Sequence, residues 1–148
     1  MAHLLFLLHV GSTLYMMGLI WFVQVVHYPL HAQVGPEQLP EYQKFHMSST
    51  SLVVGPPMLI EFGTSILFII APPLDLPRWC FFVGIAFLSL IWLSTVQFQI
   101  PYHNQLLQNF DEAIHKKLVT SNWIRTVFWT LRGILVLYVT YLLLKQVP

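Results

Sequence analysis

The sequence predicts an all-α integral membrane four-helix bundle, on three observations. Of 148 residues, 56% are hydrophobic and only 9% are charged, where a soluble domain carries about 25% charged residues. Mean hydropathy is +0.66. Four apolar stretches each reach the roughly 20 helical residues needed to cross about 30 Å of hydrocarbon. The same composition excludes other classes. Seven Lys and Arg against six Asp and Glu leave no basic patch for nucleic acid. The chain is too apolar for disorder, and Cys80 is its only cysteine, so no disulfide framework exists. The length suits one transmembrane domain, 1–148.

The spans are expected at about 4–28, 52–71, 79–100 and 122–144. Pro29, Pro72-Pro73 and Pro101 are expected to end the first three, and Lys145 the fourth. Proline removes an N–H from the helical ladder and crowds the carbonyl four residues back. Trp and Tyr cluster near several ends, as in an interfacial belt. The first span has no Lys or Arg before it and exceeds the apolar core of about 7–15 residues in a signal peptide, so it reads as a retained helix. In the first loop, Pro40 and Glu41 suit the first turn of a helix, so the second helix is expected to begin near 40, with a kink at Gly55-Pro56-Pro57. Asn109-Phe110-Asp111-Glu112 reads as a cap opening a helix that runs into the fourth span.

The two halves echo each other. Trp21 precedes Pro29 by eight residues and Trp92 precedes Pro101 by nine; Glu61 follows Pro29 by 32 and Arg132 follows Pro101 by 31. Two pseudo-repeated helical hairpins would produce this pattern.

Polar residues within the spans are the candidate site. A charge at mid-bilayer costs at least about 2.5–3.5 kcal/mol on insertion scales, so such groups should face inward and find partners. Glu61 and Arg132 lie about 15 Å and 19 Å from the same bundle end at 1.5 Å per residue, and are expected to meet, directly or through a ligand. A helix-packing pair and a substrate anchor or proton relay are both consistent with that depth. His9 and His27 share a face of the first helix with Thr13, Met16, Ile20 and Gln24. Asn122, Arg125, Thr126, Trp129 and Arg132 form a stripe on the fourth helix, and the third offers Trp92, Thr95, Gln99 and His103. His27, His46 and His103 fall near one layer at the end holding the first and third loops. Neutral imidazole is the commonest metal ligand, and bundle interiors hold metals, so a transition metal such as iron or copper is one expectation for this layer. Wet, unligated histidines or a general base are the others. His3, His31 and His115 are expected to be solvated, and Cys80 and the methionines to be packing residues.

The stretch Thr95 to Arg132 contains Thr95, then Pro101-Tyr102-His103-Asn104-Gln105-Leu106, then Asn122-Trp123-Ile124-Arg125-Thr126. It resembles the anthrone oxygenase-like family of small four-span membrane proteins. In that family a Pro-x-Asn-x-x-Leu type motif ends the third helix, and a Trp and an Arg-Thr pair open the fourth. Pro101, Leu106, Trp123, Arg125 and Thr126 match. The family asparagine falls on His103 here, with Asn104 one place later. The likeness covers mainly residues 95–132, and the first half by architecture alone. It implies a polar pocket at the end holding Pro101 and Arg125. The family is named for members that oxidise an anthrone to an anthraquinone with O₂.

The functional expectation is therefore an oxidoreductase-like membrane protein acting on a hydrophobic small molecule, aromatic or lipid-like. Glu61, Arg125 and Arg132 would be its charged machinery. Trp92, Gln99, Asn122 and Trp129 would contact the substrate, and His27, His46 and His103 would be metal ligands or proton acceptors. The alternatives are a structural or accessory subunit in the lipid bilayer, or a lipid-binding or transport protein, the transporter needing a homo-oligomer. For orientation, Lys44, Lys116, Lys117 and Arg125 lie on the side of the first and third loops, against Arg78 and Lys145 on the other. The positive-inside rule then places those two loops in the cytoplasm. A cysteine introduced at Gln108 in a Cys80→Ala background should resist an impermeant thiol reagent in intact cells; labelling from outside overturns the orientation.

Overall fold

The computed structural model describes residues 2–73 and 76–146. They form four long helices: α1 (Ala2–His31), α2 (Leu39–Ile70), α3 (Arg78–Leu106) and α4 (Glu112–Leu144), and no strand occurs among them. All four are long and apolar enough to cross a membrane. They pack in a closed square, with α1 against α2, α2 against α3, α3 against α4 and α4 against α1. Large apolar side chains such as Leu7, Leu52, Ile70, Phe82, Val96 and Ile134 point outward. The polar stripes point inward: His9, Thr13, Gln24, Gln43, Glu61, Thr64, Gln99, Asn122, Thr126 and Arg132 are all buried. This inversion suits a multi-pass integral membrane protein, whose solvent is lipid and whose polar groups must find partners inside.

Two of the three proline stops need correction. α2 does end just before Pro72, but Pro29 and Pro101 lie within α1 and α3. Each is preceded by a five-residue π-helical turn, Val23–His27 and Thr95–Gln99. A π turn adds a residue to the ring closed by each hydrogen bond, so the register shifts locally and the proline ring fits without breaking the helix. Both helices then continue, to His31 and Leu106. The two π turns begin six residues before their prolines and stand 72 residues apart in sequence. The two halves thus share a backbone device. α2 carries Pro56 and Pro57 in its interior. Asp111 caps α4, its Oδ1 accepting from the N–H groups of Ala113 (2.8 Å) and Ile114 (3.1 Å).

The apolar interior has three tiers. Phe6, Phe68, Leu76, Cys80, Phe81 and Val139 fill the end where the chain termini lie. Met16, Ile20, Met58, Ile91 and Trp129 fill the middle. Tyr28, Leu106 and Leu118 close the loop end. α1 approaches α4 closely at Gly133, where an added Cβ would collide with the Met17 thioether. Gly133→Ala should therefore push the flexible Met17 side chain aside and, with alanine's better helix propensity set against that, cost no more than about 1 kcal/mol. Met17→Ala in the same chain should recover much of that loss, as read by unfolding in detergent; an additive double mutant would place the strain elsewhere.

Candidate functional site

The deepest polar group is a brace across the square. Arg132 on α4 bonds Glu61 on α2, with Nε donating to Oε1 at 3.2 Å and Nη2 3.1 Å from the same oxygen. The Trp129 indole donates to the other carboxylate oxygen at 3.1 Å, and Arg132 Nη1 donates to the Gly84 carbonyl on α3. The ion pair thus joins three helices, and it is fully desolvated. Above it, the Thr64 hydroxyl lies 2.7 Å from His9 Nδ1, tying α1 to α2. The side chains close to these groups leave room only for about one water, a cavity of about 20 Å³.

Toward the loop end the interior opens. A cavity of about 270 Å³ is walled by Met16, Ile20, Val54 and Met58, with Tyr28, His46, Gln99, His103 and Arg125 as its polar lining. A second hollow of about 180 Å³ shares Leu19, Val23, His46, Thr50 and Val54 with it and reaches His27 on the face between α1 and α2. Arg125 is only 8% exposed. Its Nη1 donates to Asn122 Oδ1 at 3.3 Å, its Cζ lies 5.2 Å from the Trp129 ring centroid, and its buried Nε has no hydrogen-bond partner. Among the described residues, the one ion pair is Glu61–Arg132, so no carboxylate neutralises Arg125.

Asn122 holds α4 to α1: its amide donates to Gln24 Oε1 at 2.8 Å, and Gln24 donates onward to the Val119 carbonyl. Gln99 accepts from the Tyr28 hydroxyl at 3.0 Å and donates to Ser121 at 2.9 Å. Trp129 sits between the two arginines, donating to the Glu61 carboxylate that pairs with Arg132 and lying under the guanidinium of Arg125. Trp92 does not join this group; it packs against Phe62 at the α2–α3 face, outside the cavity.

The histidine layer is larger than the sequence indicated. His31 and His115 are buried, not solvated, because α1 continues past Pro29 and turns His31 inward onto the His115 ring, 5.3 Å away and nearly parallel. The rings of His27 and His46 stack at 4.5 Å, and His46 lies 5.2 Å from His103. Stacked rings point their in-plane lone pairs side by side, not at a shared point. Among the described residues no three His, Cys, Asp or Glu side chains are placed to hold one metal ion. His27, His46 and His103 as arranged do not fit a common metal.

Gln43 gave no signal in the sequence, since an amide in an interfacial stretch is ordinary. It is fully buried and bonds both His31 and His103. Fold and site together define a four-span membrane bundle, solid at one end and hollow at the other, with a polar lining in the hollow. No family model, characterised protein or solved structure matches the chain.

Removing one member of the brace leaves the other charge buried and unpaired. Glu61→Ala should cost about 3–5 kcal/mol, whereas the Glu61→Leu/Arg132→Leu double variant should lie much closer to wild type. Reversible unfolding in mixed micelles measures both; a double variant no more stable than Glu61→Ala would contradict a mainly structural role for the pair.

Proposed function

We propose that the chain is a small membrane oxidoreductase-like protein that takes a hydrophobic, aromatic or lipid-like substrate bearing an acidic oxygen into the cavity beneath its first and third loops. The observation that carries this reading is Arg125: a buried cation at an apolar cavity, with no carboxylate beside it. A guanidinium so desolvated is costly to keep without an anion, and a ligand oxyanion would supply one. The aliphatic walls suit the body of such a molecule, and the hollow between α1 and α2 gives it a route from the bilayer.

The chemistry follows from this placement. A carbon acid next to a carbonyl loses a proton to an imidazole, and the enolate oxygen so formed is stabilised by Arg125 in a site of low polarity. An enolate is the electron-rich form that O₂ oxidises in the family the sequence resembles. Glu61 and Arg132 are absorbed by each other, so they serve the site by holding α4, while Arg125 is the free charge.

The test is binding of 2-naphthoate, with 2-naphthalenemethanol as the neutral control, to the full chain in lipid nanodiscs, read by quenching of tryptophan fluorescence. Losing a hydrogen bond to a charged group costs about 1.5–3 kcal/mol. Arg125→Met should therefore weaken naphthoate binding about tenfold to a hundredfold and leave the alcohol unchanged. Equal binding of both probes by wild type and variant would favour an accessory subunit or a general lipid-binding protein.

A further inference from the structure

The polar lining of the cavity is a hydrogen-bond chain whose direction can be fixed from both ends. At one end, Gln43 Nε2 lies 2.8 Å from His103 Nδ1 and also donates to the His103 main-chain carbonyl at 3.0 Å. Two oxygens would repel at that second contact, so the amide nitrogen must be on this side. His103 Nδ1 then accepts and carries no proton. The Gln43 oxygen, facing His31 Nε2 at 2.7 Å, must accept from it. The other nitrogen of that ring, His31 Nδ1, has no partner, which suits a bare acceptor better than a stranded donor.

At the other end, the Ser121 hydroxyl donates to the Leu118 carbonyl at 3.1 Å, so it accepts from Gln99 Nε2. The Gln99 oxygen therefore faces Tyr28, and the single phenolic proton of Tyr28 is spent on it at 3.0 Å. Tyr28 Oη can then only accept from His103 Nε2, which lies 3.4 Å away. Both ends give the same answer. The neutral His103 ring holds its proton on Nε2, and the long 3.4 Å link leaves that N–H only loosely engaged.

We propose that Gln43 is a positioning residue that fixes His103 as a hydrogen-bond donor into the cavity, so that the Arg125 guanidinium and the His103 Nε2–H together form a two-donor site for a ligand oxyanion, either carboxylate, phenolate or enolate. The ligand half of this rests on the cavity reading above; the tautomer half does not. The consequence for the chemistry is a division of labour. His103 cannot take a proton on the nitrogen facing the cavity, so the imidazole that accepts one is His46, the other histidine of the lining. The chain also shows why an amide is needed at 43. An imidazole there could bind Nδ1 in either sense and a carboxylate only as an acceptor, whereas an amide held by a main-chain carbonyl offers only a donor.

The experiment is a two-bond nitrogen–proton correlation spectrum of the full chain, labelled with ¹⁵N-histidine, in lipid nanodiscs at neutral pH. His103 is assigned by the cross-peaks lost in His103→Gln. The expected result is a protonated Nε2 and a bare Nδ1. A proton on Nδ1, or on both nitrogens, overturns the proposal without touching the cavity reading. Gln43→Glu, which puts an acceptor against Nδ1, should move the proton to Nδ1. Gln43→Met, which removes the donor without adding charge, should give a mixture of the two forms. With 2-naphthoate added, the His103 Nε2 resonance should shift in wild type, and Gln43→Met should bind it about threefold to tenfold more weakly, the range of one neutral hydrogen bond. Unchanged affinity in that variant with the tautomer altered would remove His103 from the oxyanion site.

Discussion

The Glu61–Arg132 brace is the contact on which the remaining architecture depends. It crosses the diagonal of the square, α2 to α4, and reaches α3 through Gly84. Lipid offers no competing partner for these groups, and a hydrophobic effect cannot drive helices together in a medium as apolar as they are. A paired charge in the interior therefore sets which faces turn inward. It also fills the middle of the bundle together with Trp129, Met58 and Ile91. Because that tier is solid, the unfilled space lies to one side of it, and Arg125 lies one helical turn from Trp129, facing that space.

The inside-out pattern was legible in the sequence because charge was so scarce that each exception carried weight. Glu61 and Arg132 could be matched by depth along their helices, and they do form an ion pair. Arg125, Gln99, Asn122 and Trp129 followed from helical spacing on stripes that are buried. What was not legible had a local cause each time. Pro29 and Pro101 read as stops, since sequence alone does not show that a π turn will absorb the proline. His31 then reads as a loop residue, and its stacking partner His115 as solvated with it. Trp92 shares a stripe with Gln99 and Thr95, yet the π turn between them changes the angular register, and it faces the α2–α3 seam instead.

The histidine layer also shows the difference between proximity and function. Spacing correctly gathered His27, His46 and His103 at one end, and the rings do lie within a few ångströms of one another. Their planes and bonded partners decide what they can do. Stacking of His27 on His46 and the bond from Gln43 to His103 commit these rings to packing and hydrogen bonding. Ligation of a shared ion would need both arrangements undone.

The 72-residue offset between the π turns extends further along the chain. It carries His31 onto His103, and Gln43 onto His115. These four residues meet: His31 bonds Gln43, Gln43 bonds His103, and His31 stacks on His115. Had both halves kept histidine at the second position, the quartet would be four imidazoles related by an approximate two-fold axis. Its protons would then have two arrangements, exchanged by that axis and nearly equal in energy. A single amide removes that degeneracy. Within this quartet, the amide at 43 opposite the histidine at 115 gives the layer a sense of direction, as one fixed pointer orders a ring of free compasses.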